Sequence, residues 1–143
     1  VMFMHAEIQA DDGRRIPIMT FGPIGILPAY QRRGYGKMLL DFALEKAAAM
    51  GAGAICMEGN IDFYRTCGFG LASEKGIHYH GEPRNAVVPY VLLQELQPGF
   101  LDGVSGVYAP PQGYLVDPAE AEAFDRQFPP KKMEKRPGQI FPE

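Results

Sequence analysis

The chain has 143 residues, enough for one domain, and its 46% hydrophobic and 22% charged content is that of a globular protein rather than a disordered one. A net charge of −3 lacks the basic face that nucleic-acid binding requires, and no apolar run reaches the length of a membrane span. The two cysteines, Cys56 and Cys67, are too few for a disulfide framework and are not spaced as a zinc site. They are expected as buried free thiols in a reducing compartment, and with no secretory signal visible the expected location is the cytoplasm.

Residues 1–9 begin as an apolar run and then alternate, which predicts a strand. His5 lies on it and is expected to be structural. Asp11, Asp12 and Gly13 signal a hairpin turn. Residues 16–27 read as the returning strand, although Pro17, Gly22, Pro23 and Gly25 interrupt it; such residues inside a strand mark an edge, a bulge or a close approach by another backbone.

Residues 35–50 turn helical. Lys37, Asp41 and Glu45 make a narrow polar stripe. Met38, Leu39, Leu40, Phe42, Ala43, Leu44 and Ala47 give the wide apolar face of a helix laid on a sheet, and Gly51 stops it. Residues 54–57 are a short buried strand, so strand, helix and strand predict a right-handed crossover and a parallel pair. Asn60 can cap a short helix over 61–67, ended by Gly68 with a hydrophobic contact from Phe69. His78 and His80 fall in the next connection. A His-x-His pair can bind metal, but no third ligand is near, so they are expected as loop histidines and no metal site is expected. Residues 86–96 are another strand candidate, with Pro89 marking an edge or a bulge.

Residues 104–108 suggest one more strand. Asp117, Pro118 and Glu120 are a helix start, with Asp as the cap, and the helix is expected to run to about Phe128 with Glu122 and Arg126 one turn apart. Pro129 and Pro130 end it, and the charged, proline-bearing tail over 131–143 reads as an arm or a disordered end.

Residues 25–40 carry the chemistry: a strand ends, a short glycine-bearing loop follows and a helix begins at once. Unpaired N–H groups and the helix dipole make an anion site there. Gly34 and Gly36 let the backbone approach an anion, and Arg32, Arg33 and Lys37 surround it with positive charge. A tight turn with a solvated basic rim is the plain alternative. The dinucleotide fingerprint fails, because its third glycine would fall on Leu39. The P-loop fails as well, because Met38 follows Gly36-Lys37 and Gln31 stands where its first glycine belongs.

Gln31-Arg32-Arg33-Gly34-Tyr35-Gly36 resembles the signature of the GNAT acetyltransferase superfamily: Gln or Arg, two variable residues, Gly, one variable residue, then Gly or Ala. The resemblance continues on both sides. Gly22 to Pro28 is similar to the family's bulged strand, and Asn60 to Phe69 to the segment in which Phe-Tyr precedes Gly-Phe; residues 96–106 look like a branch of small, mostly uncharacterised bacterial members. It covers roughly residues 1–96 and implies an α/β fold with a mixed, twisted sheet, a splayed central strand and flanking helices. Residues 1–96 would be the acetyl-CoA-binding core, incomplete at its N-terminal side. Residues 97–143 would be an extension with one strand, one helix and a charged tail.

The resemblance also implies roles. Amides of Arg32, Arg33, Gly34, Tyr35, Gly36 and Lys37 would hold the pyrophosphate of acetyl-CoA. Ile26 and Leu27 would pair with pantetheine amides as an added strand, and a backbone N–H near them would serve the oxyanion. Asn60 and Tyr64 would lie near the sulfur, with Tyr64 as the acid for the departing thiolate. A packed helix aromatic is the plain reading of Tyr64. The base is open: the strand over 16–27 has no carboxylate, and Glu58 could act directly or through water, or be a solvated strand end. The implied reaction is acetyl transfer to a small-molecule or protein amine; a silent acyl-CoA-binding or interaction module is the alternative. Family members begin with two strands and one or two helices that this sequence lacks, and residue 1 is Val rather than Met. A fragment, a truncated product or a member completed by a partner is therefore expected. The strand over 1–9 would be left at a sheet edge, to be covered by residues 104–108 folding back or by a second copy across a two-fold axis; the homodimer is the expected arrangement.

Overall fold

The computed structural model describes residues 1–132. Seven strands form one mixed sheet: β1 Phe3–Ala10, β2 Arg15–Phe21, β3 Ala54–Glu58, β4 Gly70–Leu71, β5 Ile77–Tyr79, β6 Val91–Glu95 and β7 Gly106–Tyr108, in the order β4-β6-β3-β2-β1-β7-β5. Three α-helices accompany them, α1 Tyr35–Ala49, α2 Ile61–Tyr64 and α3 Pro118–Asp125.

β1 and β2 form the expected hairpin, with Phe3 opposite Phe21 and Gln9 opposite Arg15. Gly13 takes φ 89° in the turn, which glycine adopts without a Cβ clash. β2 then meets β3 in parallel, with Met19 opposite Ile55. The alternation of β3 divides the core in two. Ile55 and Met57 face Leu40, Leu44 and Ala47 of α1, while Cys56 faces Ile8, Ile18, Leu93 and Tyr108 on the other side. On that second side the sheet curls over itself. Tyr108 on β7 donates a 3.2 Å bond to Thr20 on β2, with β1 between them.

Several sequence expectations end at different residues. The strand expected over 16–27 stops at Phe21, and residues 22–27 leave the sheet through a cis Gly22–Pro23 bond. Pro23 and Pro28 have no N–H to give a ladder. The strand expected over 86–96 begins only at Val91, whose N–H closes a turn on the carbonyl of Val88. β4 and β5, two and three residues long, fall where the sequence predicts a connection; His78 is therefore on a strand. α1 buries Leu40, Ala43, Leu44 and Ala47, but Met38 and Phe42 of its expected apolar face are exposed. α2 is one turn, continued as a 3-10 turn over Arg65–Cys67 to Gly68 at φ 95°; Phe69 is buried as expected. Asp117 caps α3 through Oδ1, accepting from the N–H groups of Ala119 and Glu120, and Glu122 pairs with Arg126 at 3.5 Å, but the helix ends at Asp125 rather than near Phe128. Within the tail expected as an arm over 131–143, residues 133–143 lie outside the described residues.

At β1 the structure uses the fold-back. β7 pairs antiparallel with it, Gly106 opposite Ala10 and Tyr108 opposite Ile8. The pairing ends there, and Pro110 and Pro111, which lack N–H groups, follow at once. Both cysteines are buried and free.

Candidate functional site

β2 and β3 part beyond Met19 and Ile55, and the space between their ends opens into a groove of about 730 Å³. One wall is the departing segment, Ile24, Gly25 and Ile26. The far wall is α2 and the turn after it, Asn60 to Thr66. The loop that starts α1 closes one end with Arg32, Gly34, Gly36 and Lys37.

The loop has the geometry of an anion site. Gly34 is the N-cap of α1 at φ 85°, and Arg32 holds φ 61°, a left-handed conformation that non-glycine residues seldom adopt. Such backbone turns point successive N–H groups into one concavity, and the helix dipole adds positive potential. The Gln31 side chain braces the loop by donating a 2.9 Å bond to the carbonyl of Ile26. Lys37 is paired with Asp41 at 2.5 Å. Arg32 and Arg33 have no carboxylate partner among the described residues, whereas Arg14, Arg15, Arg84 and Arg126 each have one.

At the other end stands Tyr64. Its ring packs on Phe21, Phe63 and Phe69, with centroids 5.9, 4.9 and 5.7 Å away. The hydroxyl has no protein hydrogen-bond partner among the described residues, and burial pushes its pKa above the ordinary phenol value. Asn60 caps α2, its Oδ1 accepting from the N–H of Asp62 at 2.9 Å. Gly36 lies where the loop meets both walls: a Cβ there would meet Phe63 at 3.4 Å and Ile26 at 3.8 Å. The carbonyls of Ile26 and Leu27 accept bonds from Gln31 Nε2 and the N–H of Tyr30, while their own N–H groups carry no backbone bond among the described residues.

The groove thus brings together Ile26, Arg32, Gly34, Gly36, Lys37, Asn60 and Tyr64. Leu27, Arg33 and Tyr35 stand beside it on exposed backbone, outside the lining. Glu58 is also outside the lining. It follows Cys56 by two on β3, so its side chain points to the curled side of the sheet, where Oε1 accepts a 2.7 Å bond from the Tyr79 hydroxyl. Reading the sequence did not single out Ile24, Asp62, Phe63 or Thr66, which also line the groove. The helical spacing of the last three around Tyr64 was the available signal. Nor did it single out Tyr79, because a three-residue strand leaves no periodicity.

The model of the Acetyltransferase (GNAT) family matches residues 7–69, which include the whole loop and both strands that splay around it. The structure is similar to a crystal structure of the GNAT family N-acetyltransferase YhbS from Escherichia coli in complex with CoA, at a TM-score of 0.64 and 20% identity. The likeness covers 74% of this chain and 56% of that one, so this chain spans little more than half the length of that protein. No curated protein matches the chain. The resemblance drawn from the sequence is to the family whose model matches, and the curled mixed sheet is a GNAT fold.

Proposed function

We propose that this chain, whose residues 7–69 match the GNAT acetyltransferase family and whose sheet has the GNAT fold, binds acetyl-CoA in the groove and moves its acetyl group to an amine. The observation that carries this reading is one continuous groove, with a positively charged backbone loop at one end and an unpartnered Tyr64 hydroxyl at the other. A pyrophosphate suits the first and a thioester sulfur the second. In this reading residues 1–96 are the acyl-CoA-binding core and residues 97–143 an extension.

The loop amides from Arg32 to Lys37 hold the two phosphates, with Arg32 and Arg33 free to neutralise them. The N–H groups of Ile26 and Leu27 point to the pantetheine arm, and one of them donates to the oxyanion as the amine nitrogen bonds to the acetyl carbon. When the carbon–sulfur bond breaks, Tyr64 gives its proton to the departing thiolate. A phenol is protonated at neutral pH and so has the proton to give, and burial raises its pKa further. Glu58 takes the amine proton through water, held in place by Tyr79. The acceptor is a small-molecule or protein amine, the working compartment is the cytoplasm, and the uncovered half of β1 is the contact of a homodimer.

A specific observation favours a second reading, a silent acyl-CoA-binding module: Glu58 is engaged by Tyr79 and does not line the groove. One experiment separates the two. Acetyl-CoA is titrated into the protein by calorimetry, and thiol release is then followed with a panel of amines. Binding with amine-dependent thiol release supports the transferase, binding alone supports the module, and no binding removes both.

A further inference from the structure

The groove wall that leaves the sheet is held by its backbone only at its two ends. Ile24 and Gly25 make no hydrogen bond through either backbone group among the described residues, although the Ile24 side chain rests on the core beside α1. At the far end, Gln31 Nε2 donates to the carbonyl of Ile26, and the N–H of Tyr30 donates to that of Leu27. At the near end, one step beyond the pair of Phe3 and Phe21, the N–H of Gly22 donates a 3.0 Å bond to the carbonyl of Met2. The carbonyl of Gly22 receives no backbone N–H in return. It accepts a 3.3 Å bond from the hydroxyl of Tyr114, far along the chain after β7.

Tyr114 closes a 3-10 turn over Gln112–Tyr114 that lies against β1, where a Cβ at Gly113 would come 3.0 Å from Met4 Cε. The Tyr114 ring packs on Gly22, where a Cβ would meet its hydroxyl at 3.7 Å. Tyr108 reaches across β1 in the same way, to Thr20. Two tyrosines from the later part of the chain thus grip the end of β2 at Thr20 and Gly22, alternate residues that share a face. Only Tyr114 does so at the residue from which the wall departs. Pro23 brings no N–H of its own, so without Tyr114 the junction of β2 and the wall keeps one backbone bond, from the N–H of Gly22. The direction of the Gly22 carbonyl sets that of the peptides that follow, and a displacement of about 1 Å at a binding group is costly.

We propose that Tyr114 is a positioning residue for the groove. Through the carbonyl of Gly22 it sets the line of the wall, so that the N–H groups of Ile26 and Leu27 face the pantetheine arm. This rests on the acyl-CoA reading of the groove and gives the residues after β7 a part in it. Tyr114 touches no ligand and acts through Gly22 alone.

The test compares Tyr114→Phe with Tyr108→Phe in the whole chain. Tyr114→Phe keeps the ring on Gly22 and removes the hydroxyl. Hydrogen exchange should show the Gly22 amide opening about two- to tenfold faster, with the Ile18 amide inside the hairpin unchanged. Calorimetry should show acetyl-CoA bound about two- to tenfold more weakly. The affinity for adenosine diphosphate, which carries a pyrophosphate but no pantetheine arm, should stay at the wild-type value and so show that the variant is folded. Tyr108→Phe, which loses its bond upstream of the wall, should lower stability and leave the ratio of the two affinities as in the wild type. Four outcomes overturn the positioning role while leaving the acyl-CoA reading intact. They are an unchanged Gly22 amide, an unchanged acetyl-CoA affinity in Tyr114→Phe, equal weakening of both ligands, and the same change of ratio in Tyr108→Phe. A wild-type chain that binds neither ligand removes the acyl-CoA reading, and the positioning role with it.

Discussion

The hydroxyl of Tyr79 donates a 2.7 Å hydrogen bond to Glu58 Oε1, although β2, β1 and β7 stand between their two strands in the sheet. Only a tightly curled sheet brings them together. Burial, and then the bond to Glu58, push the Tyr79 pKa up from the ordinary phenol value. A folded-state pKa raised in this way stabilises the fold fully below the unfolded value of about 10, and the contribution is lost as pH rises through the folded value. Stability should therefore fall above about pH 10. In urea titrations Tyr79→Phe should cost about 1.5–3 kcal/mol at pH 7, the range for losing a bond to a charged group, and should flatten part of the alkaline decline. Tyr108 and Tyr114, also raised by burial, should keep the rest. An unchanged midpoint at pH 7 would show that the bond contributes nothing.

Gly34→Val should abolish acetyl-CoA binding. The N-cap sits at φ 85° with open space around it, so the cost is backbone strain rather than collision, and a β-branched residue is the worst fit there. Circular dichroism should remain that of the wild type while calorimetry shows no heat of binding. In the unaltered protein, affinity should fall with added salt, since Arg32, Arg33 and Lys37 are all exposed.

Tyr64→Phe should lower turnover with an amine acceptor by about tenfold or more, within the range for losing a general acid, with little change in acetyl-CoA affinity. Because burial raises the Tyr64 pKa, the alkaline limb of the rate should lie above the ordinary phenol value in the wild type and disappear in the variant. Equal rates would return Tyr64 to a packing role among Phe21, Phe63 and Phe69.

Gly106→Ala tests the closure of the sheet. A Cβ at Gly106 would come 2.3 Å from the carbonyl oxygen of Gln9, a backbone atom that cannot rotate away. The change should destabilise the protein by about 1–3 kcal/mol, measured as a shift in the urea midpoint, and should speed amide exchange along β1 and β7.

The loop was legible because its chemistry is local: Gln31 to Gly36 fix the turn into α1 within six residues, and Asn60 announces its own cap. The hairpin and α1 were legible by turn residues and periodicity. What was not legible depends on curvature. Nothing in the spacing of Glu58 and Tyr79, or of Thr20 and Tyr108, says that their strands meet across the sheet. The end of β2 was misplaced because Ile24 and Ile26 continue its apolar alternation while prolines remove the donors a ladder needs. Met38 and Phe42 read as core by composition, yet lie on the side of α1 turned from the sheet.

The pairing of β7 with β1 sets an order of events during synthesis. A ribosome finishes the loop before α1, α1 itself and β3 long before it makes Gly106, yet Ile8 must wait for Tyr108, and Gly22 for the hydroxyl of Tyr114. Until then Ile8 to Ala10 of β1 lack the partner strand they have in the finished sheet, and their share of the curled core stays in water. The departing segment that walls the groove follows that hairpin directly, so the groove takes its final form only after β7 has been made.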